Sequence, residues 1–88
     1  MFDFIQEFQK IQNQNQFDDF KNVVFDSPDV PDEIVDQVYT LCRSFSTFKL
    51  RPLKSGGYAL FYPDGDEYDR YDNLKEAKLD FIFKSFKF

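Results

Sequence analysis

The sequence predicts a small α+β domain in which helices surround one antiparallel meander of strands. Three observations predict this class. Apolar residues recur at helical spacing over residues 2–46, all three glycines fall within residues 55–71, and a capping signal at Asn73 begins a last helix. Eighty-eight residues are the size of one domain, so residues 1–88 are assigned to a single α+β domain.

Two apolar stripes near the start predict two short helices, over about residues 2–12 and 16–25. The second stripe is Phe17, Phe20 and Val24, and it is centred on the opposite side of a continuous helix from the first. A polar run at residues 13–16 separates them, and Asn15 is suited to cap the second helix. One straight helix contacted on both sides remains the alternative. The first stripe consists of Phe4, Ile5, Phe8 and Ile11.

A third helix is predicted over about residues 31–46, after a proline-containing loop. Pro31 suits a first helical turn, and Asp32 and Glu33 favour its positive end. Cys42 lies within the apolar stripe, which indicates a buried thiol acting as a small apolar side chain. The stripe consists of Ile34, Val35, Val38, Leu41, Cys42 and Phe45.

The three strands of the meander are predicted at about residues 48–54, 57–62 and 67–71. Pro52 cannot donate to a ladder, so the first strand is expected at a sheet edge. Gly56 and Gly57 supply the first reversal, and residues 63–65, Pro-Asp-Gly, supply the second.

The last helix, predicted over about residues 73–86, is apolar over most of its circumference. Asn73 and Glu76 form an Asn-x-x-Glu version of the capping box. Such a helix is either buried centrally or exposes a face to a partner. The candidate oligomer face consists of Leu79, Ile82, Phe83 and Phe86.

Composition excludes several classes of function. The 16 acidic and 11 basic residues give a net charge of −5, which argues against binding nucleic acid or an anionic membrane and favours a partner with a basic surface. Without histidine and with one cysteine, the chain offers no Cys/His metal set and no paired nucleophile, so we expect no enzyme activity, metal or cofactor. No signal peptide or membrane-spanning run is visible, so a cytoplasmic location is expected.

The acidic turn after residue 63 does not match a calcium-binding EF-hand loop. Counting from Asp64, the fifth place is Tyr68 and the sixth is Asp69, where the loop needs an acid and a glycine. The tyrosines nearby have the composition of a base-stacking platform, but acidic neighbours replace the basic groove that such platforms use. Nucleic-acid or calcium binding is therefore retained only as a second alternative.

The glycine- and tyrosine-rich hairpin is the candidate site for a protein partner, since Tyr and Arg often anchor interfaces. In size, charge and lack of catalytic residues, the chain is similar in kind to the small acidic inhibitors of phages and mobile elements, such as anti-CRISPR proteins and DNA-mimicking blockers of host proteins. That resemblance implies a viral protein acting in the host cytoplasm, and a homodimer or structural subunit assembled through the last helix is the alternative. A second acidic cluster comprises Asp18, Asp19, Asp29, Asp32 and Glu33. The candidate partner-binding residues are Tyr58, Tyr62, Asp64, Asp66, Glu67, Tyr68, Asp69, Arg70, Tyr71 and Asp72.

Overall fold

The computed structural model describes residues 3–27 and 30–87 and confirms the predicted α+β class. The predicted helix start at Phe2 and the acidic residue Asp29 lie outside the described residues. Along the chain the elements are α1 (Phe4–Gln9), α2 (Gln14–Asp26), α3 (Asp32–Arg43), β1 (Lys49–Pro52), β2 (Tyr58–Phe61), β3 (Glu67–Tyr71) and α4 (Leu74–Lys87).

Two helices, rather than one, occupy the first part of the chain, as predicted. The cap of α2 is Asn13, two residues before the predicted Asn15, because Asn13 Oδ1 accepts the N–H of Gln16 at 2.9 Å. The Gln16 side chain reaches back to accept the N–H of Gln12 at 2.6 Å. These two bonds satisfy the N–H of Gln16, which the helix cannot bond internally, and the N–H of Gln12 just before the cap, and they fix the break between α1 and α2.

The three strands form an antiparallel sheet in the order β1-β2-β3, which confirms the predicted meander. Leu50 lies opposite Leu60, and Tyr58 lies opposite Tyr71. The pairing of β2 with β3 shifts register between Leu60 and Phe61, which marks an irregularity of the β-bulge type.

Gly57 ends the first reversal in a conformation that a side chain would not tolerate. Its φ is +77°, and a Cβ atom there would lie 2.7 Å from the carbonyl oxygen of Tyr71. Glycine is therefore required both by backbone conformation and by the close approach of β3.

The last helix, α4, is the centre of the core, and this corrects part of the predicted oligomer face. Leu79, Ile82 and Phe83 are buried because α4 contacts the sheet together with α2 and α3. Phe83 stacks on Phe17 with ring centroids 4.0 Å apart and an interplanar angle of 8°. Of the predicted face only Phe86 remains at the surface, at 48% exposure.

Some residues of the predicted core stripes are exposed instead. Ile5 is 55% exposed and Leu41 is 59% exposed, and Phe45 lies beyond the last residue of α3 and is also exposed. Each predicted stripe contains more apolar residues than the fold buries. A short α1 and a single central helix shield only the inner part of each stripe, and the residues at its margins stay exposed.

Candidate partner-binding surfaces

The turn between β2 and β3 is built by its own backbone and by one aspartate. Tyr62 N–H donates to the carbonyl of Asp66 at 2.8 Å, and Gly65 N–H donates to the carbonyl of Tyr62 at 3.0 Å. The Asp64 carboxylate accepts the N–H of Asp66 at 3.0 Å. These local bonds give the acidic tip a defined shape, because an Asp side chain that bonds two residues ahead reproduces a backbone turn.

Aromatic rings pack beside this tip. The rings of Tyr62 and Tyr68 meet edge to face with centroids 5.5 Å apart, and Phe48 lies 5.7 Å from Tyr62. The Lys84 ammonium lies 4.3 Å from the centroid of the Tyr68 ring. Tyr62, in the middle of the row, is exposed, whereas Phe48 and Tyr68 at its two ends are half-buried, so the row is anchored at both ends and accessible at its centre.

The other two predicted tyrosines, Tyr58 and Tyr71, lie opposite each other at the end of β2 and β3 that is distant from the turn, and so outside this group of rings. Tyr58 is half-buried, and Tyr71 is only 6% exposed. Burial raises the pKa of the Tyr71 phenol most, and the interaction of the hydroxyl with the Asp80 carboxylate raises it further, although the hydroxyl is outside normal hydrogen-bond geometry with the described residues. Tyr71 is therefore a core residue, and its assignment to the partner-binding surface is corrected.

Four carboxylates of the hairpin have no ion-pair partner in the described part of the chain. A fifth, Glu67, pairs with the Arg70 guanidinium, and that contact raises the pKa of Arg70. The Asp69 carboxylate accepts the N–H of Arg70 at 2.7 Å, which blocks a backbone donor on β3. The four carboxylates without an ion pair are Asp64, Asp66, Asp69 and Asp72.

The second predicted acidic cluster is partly neutralised within the protein. Asp18 lies 3.9 Å from the Lys21 ammonium, and Asp32 lies 3.2 Å from Lys75. Asp19 and Glu33 are exposed on separate helices. Of the two acidic clusters, the hairpin therefore has the higher density of carboxylates without an ion pair.

A basic segment that our sequence reasoning missed lies beside the acidic tip. Residues 43–54 contain four cations and no acid, so they carry +4 while the remainder of the chain carries −9, which together make −5. A count of charge along the chain would have found this segment. None of the four cations forms an ion pair within residues 3–27 and 30–87. They are Arg43, Lys49, Arg51 and Lys54.

An open groove of about 660 Å³ runs between α3 and β1 within this basic segment. Tyr39 and Arg43 line it from α3, and Phe48 and Leu50 line it from the β1 side. Phe81 of α4 also contributes to the lining. This groove joins apolar surface to cationic side chains.

A smaller apolar groove of about 340 Å³ lies at the other side of α3, between α1 and the end of α4. The Phe86 ring packs edge to face on Phe8 at 5.6 Å and on Phe45 at 5.4 Å. Ile5 and Leu41 are the exposed aliphatic residues on its walls.

The described residues contain no cluster of three or more His, Cys, Asp or Glu side chains placed to hold a metal ion. Cys42 is fully buried, and burial raises the pKa of its thiol to about 11, so the thiol is neutral near pH 7. None of the helices within the described ranges combines the length and apolar character needed to cross a membrane. Comparison with protein-family models, with curated proteins and with solved structures found no match to this chain.

Proposed function

We propose that this chain is a protein-binding module without chemistry of its own, and that the β2–β3 hairpin tip contacts a basic surface of its partner. One observation carries the proposal. The packed rings of Tyr62 and Tyr68 lie beside carboxylates that no cation of the described residues neutralises.

Each part of the tip has a physical role in binding. Exposed tyrosine supplies apolar contact area with a hydroxyl for hydrogen bonding, which suits an interface anchor. Unpaired carboxylates steer a basic partner into place and accelerate association at low salt. The hydrogen-bonded turn holds these groups in one geometry, so little conformational entropy is lost on binding.

A specific form of this proposal is a blocker that occupies the nucleic-acid site of a larger host protein. Carboxylates at the tip would take the place of phosphates in a basic groove. This form makes a distinct prediction, because nucleic acid would then displace the chain from its partner.

The test is quantitative affinity purification at low salt with a matched pair of charge variants. Asp66→Lys with Asp69→Lys reverses the charge beside the turn, and Asp19→Lys with Glu33→Lys makes the same change in net charge elsewhere. We expect a stoichiometric partner that the wild type and the control recover and the tip variant loses. Recovery of no partner, or equal recovery by all three proteins, would overturn the proposal. Added nucleic acid then tests the blocker form. Displacement of the partner supports it, and no displacement rejects it.

A second candidate function is self-association through the smaller apolar groove. The observation that favours it is the exposed apolar patch that Phe86 forms with Leu41 and Phe45, since two copies related by a two-fold axis would bury the same patch on each other. We expect a dimer by light scattering at tens of micromolar and a monomer for Phe86→Asp. Val23→Asp, at an exposed position on α2, is the control. A monomeric wild type would exclude this candidate.

A further inference from the structure

Strand β1 has one edge that no strand covers. It pairs only with β2 in the three-stranded sheet that the described residues form. Leu53 N–H donates to the carbonyl of Gly57 at 3.0 Å, so by the alternation of antiparallel pairs Arg51 and Lys49 also bond toward β2. Leu50 therefore presents its N–H and its carbonyl to the free edge.

The space beside this edge is apolar on its inner side. Leu50 lies opposite the fully buried Leu60, which places its side chain on the inner face of the sheet. Tyr39 packs edge to face on Phe81 with ring centroids 4.9 Å apart, and both line the groove. An added strand would bury its inward side chains against these rings.

The outer side of the same edge is cationic. Lys49 and Arg51 are exposed, two residues apart, and therefore share the outer face of β1 at a spacing of roughly 7 Å. On the inner side, the Arg43 guanidinium at the end of α3 lies 5.8 Å from the centroid of the Tyr39 ring and adds a cation to the groove wall. Opposite charges on neighbouring strands stabilise their pairing.

We propose that the free edge of β1 binds an extended segment of a partner protein in which acidic and apolar residues alternate. The segment adds as a fourth strand and exchanges backbone hydrogen bonds with Leu50. Its acidic side chains face Lys49 and Arg51, and its apolar side chains enter the groove. This inference goes beyond the proposed function because it uses another surface and the opposite charge.

The geometry favours a peptide over a nucleic acid. Pro63 lines the groove and the carboxylate-bearing tip begins at the next residue, Asp64, so a longer polyanion would be brought against like charge. A short peptide strand avoids that repulsion. Pro52 removes the next backbone donor, so the added strand is short and its affinity depends on the side-chain contacts.

The test uses a fluorescein-labelled peptide of alternating Glu and Val, with fluorescence anisotropy as the readout. The control peptide has the same composition in two blocks, all Val followed by all Glu. We expect the alternating peptide to bind more tightly than the block peptide and to weaken as salt rises. Failure of the alternating peptide to bind below about 1 mM, or equal binding of both peptides, would overturn the inference.

Charge variants locate the site. Lys49→Glu with Arg51→Glu should weaken binding by at least about tenfold, because two attractions become repulsions. Lys10→Glu with Lys54→Glu changes the net charge equally at positions outside the groove and should change binding much less. An equal loss in both double variants would show that only overall charge matters and would refute the site.

Amide exchange separates strand addition from side-chain attraction. The N–H of Leu50 should exchange more slowly with solvent deuterium when the alternating peptide is bound, since it then donates to the added strand. A single-stranded oligothymidylate is the comparison. If it binds as tightly as the peptide, or if neither ligand protects the Leu50 amide, the groove attracts polyanions in general and the inference is wrong.

Discussion

Truncation of Phe83 gives the sharpest test of α4 as a core helix. Its side chain is 1% exposed, and its ring stacks on that of Phe17 with centroids 4.0 Å apart. Replacing a buried Phe by Ala loses the transfer free energy of the ring and leaves a cavity, which together cost about 3–5 kcal/mol. Folded proteins are stable by about 0.05–0.15 kcal/mol per residue, so this chain has roughly 4–13 kcal/mol in total. Phe83→Ala should therefore remove a large part of the stability.

The assay is urea unfolding followed by circular dichroism, with Phe86→Ala as the matched control. Phe86 is the same residue type on the same helix and is 48% exposed, so its truncation should cost about 1 kcal/mol or a little more. A loss for Phe83→Ala below about 1.5 kcal/mol, or no greater than for Phe86→Ala, would refute the burial argument. If Phe83 were an oligomer contact instead, the unfolding midpoint of the wild type would rise with protein concentration. Phe83→Ala would then change the association state and remove that dependence.

Three further predictions concern the turn, the thiol and the buried phenol. Gly57→Ala should destabilise by about 2 kcal/mol or more and Gly56→Ala by only about 1 kcal/mol in urea unfolding, because only the first Cβ meets backbone, at 2.7 Å. Between pH 9 and about 11 the free energy of unfolding should fall by up to about 3 kcal/mol through Cys42, since the folded state holds the thiol proton after the unfolded state has lost it. Cys42→Ala should show a shallower fall over that pH range, and an identical fall would contradict this assignment. Tyr71→Phe should leave the free energy of unfolding unchanged or raise it by up to about 1 kcal/mol, because the hydroxyl it removes is buried and lies outside normal hydrogen-bond geometry with the nearby Asp80 carboxylate; a loss above 1 kcal/mol would show that the hydroxyl donates to Asp80.

Local signals in the sequence were sufficient to predict the elements of the fold. The Asn73 cap is present as predicted, since its side chain accepts the N–H of Lys75 at 2.8 Å and that of Glu76 at 3.3 Å. Strand β3 has the predicted bounds of residues 67–71. Signals of this kind depend on neighbours within four residues, which a single sequence displays completely.

The burial of each face of α4 could not be predicted in the same way. The sequence shows that α4 is apolar on several sides but not how many elements pack on it. That number depends on the tertiary arrangement, and here the sheet, α2 and α3 together cover Leu79, Ile82 and Phe83. Phe86 lies one turn beyond Ile82, near the end of the helix, where this cover ends.

The hairpin tyrosines illustrate a similar limit for the candidate site. Alternation within a strand assigns faces only if the pairing register is known, and β2 and β3 shift register between Leu60 and Phe61. Tyr68 and Tyr71 are three residues apart and would face opposite sides of a regular strand, yet Tyr68 lies beside the Lys84 ammonium and packs against the core that contains Tyr71. The basic segment, in contrast, was visible in the sequence and needed only a local count of charge.

The two proposed surfaces adjoin, and this leads to a prediction about the partner. Pro63 lines the β1 groove and Asp64 begins the acidic tip, so a strand leaving the groove at that end passes the tip. A partner whose acidic and apolar strand is followed by basic residues would satisfy both surfaces at once. We therefore expect the variants Lys49→Glu with Arg51→Glu, and Asp66→Lys with Asp69→Lys, to lose the same protein in affinity purification. Loss of two different proteins would show that the surfaces act independently.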